Sequence, residues 1–253
     1  MIAAPLQTPL AGDTNFGAKR PQQQVRLQLL KGFQLSVAGQ PVLLPAGGER
    51  LLALLALSER PLKRSAAAGI LWGDVNGERA SGNLRTAIWR MLRVGVDLVE
   101  RHGYTLSLAR DVVVDVLELT DQAKRLFNGD TCVDSDYDCS PLAGDLLPLW
   151  DDDWVVIERE RLRQLRLHAL ERLCVRLATQ GRFLEAIAAG LAAVQAEPLR
   201  ESGHRALISA HIAEGNWSEA MTQYRFFRKM LWDELRLEPS QHIERLVEPL
   251  TCR

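Results

Sequence analysis

Residues 78–94 read ERASGNLRTAIWRMLRV, and they determine how the N-terminal half of the chain is interpreted. Apolar residues recur in this stretch at the spacing of one face of an amphipathic helix. The predicted apolar stripe consists of Ala80, Leu84, Ala87, Ile88, Met91 and Leu92. The sequence therefore predicts a helix that packs against a core with this side.

The other side of this predicted helix is basic. Its members are Arg79, Asn83, Thr86, Trp89, Arg90 and Arg93, with Arg85 on the flank. No acidic residue follows Glu78 in the stretch, so the helix lacks the i,i+4 pairs of opposite charge that stabilise many surface helices. An all-positive face suits a polyanion such as nucleic acid. The alternative is a solvated helix face that happens to be basic.

The two halves of the chain carry opposite net charges. Residues 1–110 contain 14 Lys and Arg against 7 Asp and Glu, and the other residues contain 17 against 25. The net charges are therefore +7 and −8. With 253 residues, 47% of them hydrophobic and 25% charged, the chain is long enough for one large or two ordinary globular domains. This asymmetry predicts a basic module that binds nucleic acid and an acidic module with another task.

Cysteine usage and hydropathy suggest a cellular compartment. The four cysteines, at positions 132, 139, 174 and 252, form no C-x-x-C pair and no zinc-like spacing with histidine. Cys174 lies in an apolar helical pattern and is predicted to be a small core residue. The sequence contains no apolar segment of membrane-spanning length and no signal-peptide pattern at its N-terminus. We therefore expect a reduced, cytoplasmic protein with no membrane contact.

The order of elements in the first half predicts a winged helix-turn-helix. Residues 1–24 have three prolines and little periodicity, and they are predicted to be a disordered tail. Three short antiparallel strands are expected within 25–45, followed by helices over 49–57 and 63–71. Asn76 is a plausible N-cap of the arginine-faced third helix. Strands at 97–100 and 104–108 then form a hairpin, which in this fold touches DNA beside the third helix.

The second half is predicted to be helical and to contain a repeat. Asp115 is expected to cap a helix that ends at Phe127, with Val116, Leu119, Ala123, Leu126 and Phe127 on one side. An acidic loop follows at 128–141, and helical periodicity runs from Asp153 to the end. Gly181-Arg-Phe-Leu-Glu-Ala186 matches Gly215-Asn-Trp-Ser-Glu-Ala220 at an offset of 34, which is the tetratricopeptide period. Leu173 and Leu207 share this offset.

Several segments, in order, resemble the Streptomyces antibiotic regulatory protein family of bacterial transcriptional activators. They are LWGD (71–74), NLRTAIWRMLR (83–93), GYTLSL (103–108), GDLLPLWDDDWV (144–155), ERERLRQLRLHALERL (158–173), EPLRESGHRALISAHIAEGN (197–216) and ELRLEPS (234–240). The resemblance implies a mainly α, multidomain chain. An OmpR-like winged-helix DNA-binding domain at 25–112 would precede an all-α, tetratricopeptide-like bacterial transcriptional activator domain at 113–253.

The sequence departs from the family pattern at two positions. Arg236 stands where the family usually has a helix-terminating glycine, and Leu149 where it often has a glycine before the tryptophan. Both departures concern local geometry and neither touches the third helix. No receiver, ATPase or sensor segment is recognised, so the resemblance implies a short, stand-alone member.

The resemblance places the third helix in the DNA major groove. Its candidate contacts are Arg79, Asn83, Arg85, Thr86, Trp89, Arg90 and Arg93. Arginine can bridge guanine in a bidentate manner, but several of these arginines would hold phosphates instead. For Trp89 the alternative to a DNA contact is that its ring braces the wing. Lys63 and Arg64 open the second helix and would clamp a phosphate, unless they are simply solvated. Arg101 and His102 are expected at the tip of the hairpin, near the minor groove, with a solvated turn as the alternative.

No pattern indicates catalysis, a metal or a cofactor. Asp134, Asp136, Asp138 and Asp145 partly match an EF-hand loop, but Cys139 stands where that loop requires glycine. An acidic, solvated loop is therefore expected, and Cys132 and Cys139 are not expected to form a redox pair. The chain also lacks a phosphate-binding glycine loop, a nucleophile elbow and any metal-like histidine spacing. We expect a protein that is not an enzyme.

The resulting hypothesis is a double-stranded DNA-binding transcriptional activator of the bacterial nucleoid. The resemblance implies binding to promoter direct repeats as a homodimer, and contact with RNA polymerase through its sigma factor and alpha subunit. The alternative is a tetratricopeptide interaction adaptor whose N-terminal domain is a scaffold that does not bind DNA. A steep loss of DNA affinity with salt would distinguish the two, because each phosphate contact releases counterions.

Overall fold

The computed structural model describes residues 24–128 and 144–251. It begins with three antiparallel strands, β1 (Val25–Gln28), β2 (Gln34–Val37) and β3 (Gln40–Val42). The sequence alternates in β1, so that Val25 and Leu27 are buried while their neighbours are exposed. The predicted strands and their tight turns are thus confirmed. The predicted N-terminal tail lies outside the described residues.

Three helices follow, as predicted, with small differences at their ends. They are α1 (Ala46–Leu57), α2 (Arg64–Leu71) and α3 (Gly77–Leu92). α1 begins three residues earlier than predicted, directly after Pro45, which has the extended backbone of an N-cap. Lys63 is not the first residue of α2, because it belongs to the short strand β4 (Leu62–Lys63). Asn76 caps α3, where its side chain accepts a hydrogen bond from the backbone N–H of Arg79 at 2.9 Å.

A hairpin of β5 (Val99–His102) and β6 (Thr105–Leu108) forms the predicted wing. β4 pairs with β6 on its other side, which gives a three-stranded sheet of order β4-β6-β5. A further strand, β7 (Val112–Val114), was not predicted. It pairs in parallel with β1 and completes a second sheet of order β3-β2-β1-β7. The division proposed between residues 112 and 113 therefore falls inside a strand that belongs to the N-terminal sheet.

Helix α4 (Asp115–Asn128) starts at the predicted residue and joins the two halves. The Asp115 carboxylate accepts hydrogen bonds from the backbone N–H groups of Leu29 and Leu30, at 3.0 Å each, as well as from Val116. It is thus the first residue of α4 and not the residue before it, and its carboxylate ties the chain that follows β1 to the start of this helix. The predicted buried side of α4 is correct except for Phe127, which is 37% exposed. Residues 129–143 lie outside the described ranges, as does the acidic loop predicted there with its two cysteines.

The last five helices are α5 (Asp153–Thr179), α6 (Phe183–Ala196), α7 (Glu201–Glu214), α8 (Trp217–Leu235) and α9 (Gln241–Thr251). α5 packs on α6 and α7, while α7 packs on α6 and α8. The matched alanines Ala186 and Ala220 are both fully buried, as the repeat predicts, since small residues let helices approach closely. A mainly α chain, with a winged helix followed by tetratricopeptide-like helices, is therefore confirmed.

Close packing continues around Cys174, the predicted core residue. It is fully buried, and burial raises the pKa of its thiol to about 12. Gly190 faces it from α6, and a Cβ at this glycine would lie 3.0 Å from Leu207 and 3.1 Å from the Cys174 sulfur. Arg236, which replaces a family glycine, ends α8 in the left-handed conformation with φ of 58°. The position thus keeps the backbone geometry that favours glycine, although it carries a side chain.

The two halves share one hydrophobic core. Val155 and Leu162 of α5 belong to the same buried cluster as the strands and helices of the winged helix. Ion pairs Arg50–Asp152 and Arg161–Glu59 also cross the junction. None of the helices within 24–128 and 144–251 combines the length and hydropathy that crossing a bilayer requires.

Candidate nucleic-acid interface

Helix α3 lies against α1 and α2 and presents its basic side to solvent. Ala80, Leu84, Ala87, Ile88 and Met91 are all buried, as the sequence predicts. Leu92 was assigned to the same stripe, but it is 43% exposed because the helix ends at this residue. The buried stripe therefore fixes the rotation of α3 about its axis, and this rotation leaves the arginines exposed.

The exposed side of α3 consists of two adjacent rows, as its helical spacing requires. One row contains Arg79, Asn83, Thr86 and Arg90, and the second contains Arg85, Trp89 and Arg93. The four arginines are exposed, while Asn83 is half-buried. Thr86 donates its hydroxyl hydrogen to the carbonyl of Gly82 at 3.1 Å, so its donor is already used within the helix. The predicted helix residues are thus brought together on one surface.

No arginine of α3 forms an ion pair with any residue of the described ranges. Glu78 in the first turn is the sole acidic residue of the helix. Trp89 is 56% exposed, and the guanidinium carbon of Arg93 lies 5.0 Å from its ring centroid. This cation–π contact orients both side chains without neutralising the charge of Arg93. The helix therefore presents four positive charges and one large aromatic ring to solvent.

The start of α2 is held against the wing. Lys63 pairs with Thr105 across β4 and β6, and Thr105 pairs with His102 across β6 and β5. The backbone N–H of Arg64 donates to the carbonyl of Tyr104 at 2.9 Å. Lys63 and His102 therefore lie in one row on either side of Thr105, since directly paired residues share a face of the sheet. The structure brings these two predicted site residues together at one end of the wing.

The prediction that Arg101 and His102 form the tip of the hairpin is wrong. Both lie in β5, where Arg101 pairs with Leu106, and the tip consists of Gly103 and Tyr104. The short turn is possible because Gly103 takes the left-handed region with φ of 59°. Successive residues of a strand point to opposite faces, so Arg101 and His102 cannot both face the same groove.

His102 is further restrained by an acidic neighbour. Its Nε2 lies 3.2 Å from a carboxylate oxygen of Glu100, which shares its face of the strand. The hydrogen bond with His102 lowers the pKa of the Glu100 carboxyl, and the backbone N–H of Arg110 acts in the same direction. The wing therefore carries one carboxylate among its basic side chains. This reduces the local positive charge compared with α3.

Tyr104 is the exposed residue that the sequence reasoning missed. It occupies the tip of the wing and is 87% exposed, although its type is usually half-buried. The signal was present as a Gly-Tyr pair between two alternating segments, which is typical of a two-residue turn. An aromatic ring at this point can stack or pack on sugar edges beside the residues of β4 and β5.

A protein-family comparison matches the chain from the wing onward. Residues 97–250 match the model of the "Bacterial transcriptional activator domain" family. Regulatory protein AfsR of Streptomyces coelicolor is 31% identical over 215 residues, which cover 78% of this chain and 21% of that protein. The AfsR protein of Streptomyces griseus is 28% identical over 229 residues, or 81% of this chain and 22% of that protein. The chain therefore spans about a fifth of the length of these relatives.

A solved structure has the same fold. Mycobacterium tuberculosis EmbR, determined in complex with a low-affinity phosphopeptide, superposes with a TM-score of 0.70. The match covers 91% of this chain and 65% of EmbR at 21% sequence identity. It extends across the winged helix and the helical repeats together.

Proposed function

Since the chain belongs to the bacterial transcriptional activator domain family, within the Streptomyces antibiotic regulatory proteins, we propose that it is a sequence-specific, double-stranded DNA-binding activator. The observation that carries the proposal is the basic side of α3, whose arginines have no carboxylate partner among the described residues. Unpaired charge on an exposed helix contributes little to folding, whereas it contributes directly to binding a polyanion. The winged helix, which extends through β7, would bind DNA, and the helices from α4 onward would communicate with other proteins.

The N-terminal and C-terminal ends of the exposed side of α3 would take different parts in docking. In helix-turn-helix proteins the N-terminal residues of the recognition helix reach base edges, and the rest lies nearer the backbone. Asn83 and Arg85 are therefore assigned to bases, while Arg90 and Arg93 are assigned to phosphates. Lys63 and Arg64 would hold a second phosphate group beside the wing. Tyr104 would pack on the sugar edge at the wing tip.

The arrangement on a promoter is also part of the proposal. Two copies would bind direct repeats side by side as a homodimer, and the complex would contact RNA polymerase through the sigma factor and the alpha subunit. Membership of a transcriptional activator domain family supports a role at promoters, and both relatives are named as regulatory proteins. No catalytic step is proposed for this chain, and no metal or cofactor is required for DNA recognition of this kind.

Salt dependence tests the central proposal. A random-sequence DNA pool is first enriched for bound sites, and retention of the selected duplex is then measured at increasing salt concentration. The logarithm of the binding constant should fall by about 0.9 per phosphate contact for each tenfold rise in salt. A tetratricopeptide adaptor with a scaffold-like N-terminal domain would retain no duplex at any salt concentration.

A charge-removing pair of substitutions provides the matched control. Arg90→Gln with Arg93→Gln should reduce the salt slope by roughly two phosphate contacts. Arg225→Gln with Lys229→Gln removes the same charge from exposed positions of α8 and should leave the slope unchanged. If both pairs have equal effects, DNA responds to the overall charge of the protein and α3 is not the reading helix.

A further inference from the structure

The helical repeats contain a narrow groove, which we call the α7 groove. Its floor is formed by Arg205, Ala206 and Ser209 of α7, and its walls by Arg172 and Val175 of α5 and by Leu246 of α9. α7 contacts both wall helices. Stacked helical repeats commonly use such concave surfaces to bind extended chains. The cavity measures about 280 Å³, which is enough for one or two side chains and less than a usual small-molecule pocket of about 300–1,000 Å³.

Two guanidinium groups in the groove have no acidic partner. Arg172 and Arg205 are both exposed, and neither forms an ion pair or a hydrogen bond within the described part of the chain. Most other arginines of these helices do have partners. Arg163, for example, binds Glu160 and Glu197, and Arg200 binds Glu171. The two groove arginines are therefore available to an anion from outside.

The one carboxylate among the residues that line the groove is already paired with other groups. Glu171 also lines the groove, but it accepts hydrogen bonds from Arg200 Nε and Ser202 Oγ, each at 2.6 Å. Only 13% of its side chain is exposed. The groove is therefore locally positive, although residues 111–253 together carry a net charge of −8. Since salt screens charges beyond about 8–10 Å, the local arginines decide what binds here.

Apolar side chains also line the groove. Val175 of α5 is 45% exposed, Leu246 of α9 is half-buried, and the small Ala206 of α7 belongs to the same lining. A free phosphate or a DNA backbone has no apolar group to fill this space. A duplex is also too wide to enter a groove of this size. An acidic side chain next to an aliphatic one matches both features of the groove.

We propose that the α7 groove binds an acidic peptide segment of a partner protein, with carboxylates paired to Arg172 and Arg205 and an aliphatic side chain between Val175 and Leu246. The geometry is that of an extended chain in a helical-repeat groove, with charge complementarity at two points and one apolar anchor. The proposal does not depend on DNA binding, because the groove lies on α5, α7 and α9 and not on the winged helix.

Fluorescence anisotropy with short labelled peptide pools tests this site in the full chain. One pool has aspartates on both sides of a fixed leucine, the second has asparagines instead, and the third has lysines. The wild-type protein should bind the aspartate pool in a saturable manner and neither of the others. Arg172→Gln with Arg205→Gln should weaken that binding by about tenfold, as expected for two exposed or half-exposed ion pairs.

Charge reversal and matched controls complete the design. Arg172→Glu with Arg205→Glu should bind the lysine pool and not the aspartate pool, which a merely destabilised groove would not do. Arg225→Gln with Lys229→Gln on α8 removes the same charge elsewhere and should bind like wild type. Equal binding of the aspartate and asparagine pools, no binding by wild type, or equal losses in the control variant would overturn the proposal.

DNA retention of the same variants separates this proposal from the proposed function. The groove variants should retain duplex DNA like wild type, and Arg90→Gln with Arg93→Gln should bind the aspartate peptide pool like wild type. If the groove variants lose DNA and bind peptide normally, the groove is a nucleic-acid site and the peptide proposal is wrong.

Discussion

The arginines of α3 and those of α5 have opposite surroundings. On α3 they point to solvent and have no carboxylate partner within the described residues, whereas on α5 most of them connect elements of the fold. Arg159 is the clearest example, because its guanidinium donates to the carbonyls of Leu146, Leu147 and Trp150 at 2.9, 2.7 and 3.0 Å. The same residue type thus stabilises the fold in one region and remains available for a ligand in the other.

Burial explains the difference. Arg159 of α5 is half-buried at the junction of the two halves, where backbone carbonyls need donors that water does not supply. The α3 arginines lie on the far side of a helix whose buried stripe is complete without them. Removing Arg159 should therefore lower stability, and removing an α3 arginine should lower DNA binding. The following experiments test this contrast, from the largest expected change in stability to the smallest.

Arg159→Met should have the largest effect. It keeps the aliphatic length of the side chain but removes the guanidinium donor from three partly buried carbonyl oxygens, of which Leu147 keeps the backbone N–H of Trp150 at 3.0 Å. The loss should cost about 2–4 kcal/mol of unfolding free energy. Urea denaturation followed by circular dichroism measures the loss. The control is Arg161→Met, two residues further along α5. It removes an exposed ion pair with Glu59 and should change the denaturation midpoint little. Similar midpoints for the two variants would contradict the assigned role of Arg159.

Overpacking the repeat should have the next largest effect. Ala186→Leu or Ala220→Leu places a large side chain at a fully buried position where two helices pack closely. Each substitution should lower the unfolding free energy by roughly 1–3 kcal/mol. Ala188→Leu on the exposed side of α6 is the control and should melt like wild type. Thermal melts of the three variants compare them directly. If Ala186→Leu and Ala220→Leu both melt like wild type, the matched positions are not helix crossings.

A buried histidine should make the helical region sensitive to acid. His204 is fully buried, its ring nitrogens lie 2.8 Å from the Pro198 carbonyl and from Gln223, and it stacks on Phe227. Burial lowers the pKa of His204, although the Pro198 carbonyl and Glu201 act against this. Because the unfolded chain binds the proton more tightly, the stability due to the neutral ring is complete above about pH 6.5 and is lost as the pH falls below it.

The melting temperature as a function of pH tests this histidine. Between about pH 7 and pH 5.5 the wild-type protein should lose more stability than His204→Gln, which cannot titrate. His102→Gln removes an exposed histidine from the wing and should keep the wild-type slope. An unchanged slope in His204→Gln would mean that the buried ring does not control acid stability.

The α3 arginines should have the smallest effect on folding. Arg85→Ala and Arg93→Ala should each change the unfolding free energy by less than about 0.5 kcal/mol, as usual for exposed positions. Their effects on binding should differ from each other. Arg85→Ala should reduce the preference for the selected site over random DNA, whereas Arg93→Ala should weaken both duplexes equally and reduce the salt slope by about one unit.

Competition between the selected duplex and random DNA at several salt concentrations separates these outcomes. If both variants bind both duplexes as tightly as the wild-type protein does, α3 is not the reading helix. If Arg93→Ala instead loses only the selected site, its contact with Trp89 positions a base-reading side chain, and the C-terminal end of the exposed side reads bases instead of holding phosphates.

The amino-acid sequence by itself determined which faces of the helices are buried and where the repeat lies. The apolar spacing in α3 predicted five buried residues correctly, and the offset between Gly181 and Gly215 predicted two buried alanines. These features are local or periodic, so they are visible without knowledge of the fold. Leu92 and Phe127 were assigned wrongly because each lies in the last turn of its helix, where the pattern continues but the packing partner ends.

Tertiary structure alone decided the long-range pairings. The contact between β1 and β7 joins residues far apart in the chain, and three valines in sequence do not specify their partner strand. The same holds for the hairpin, where pairing moved Arg101 and His102 from the tip into β5 and placed Lys63 in one row with His102, across Thr105. It also holds for the arginines, because the sequence shows which residues are charged but not which carboxylates come within reach. Whether an arginine supports the fold or remains free for a ligand depends on the neighbours that folding brings to it.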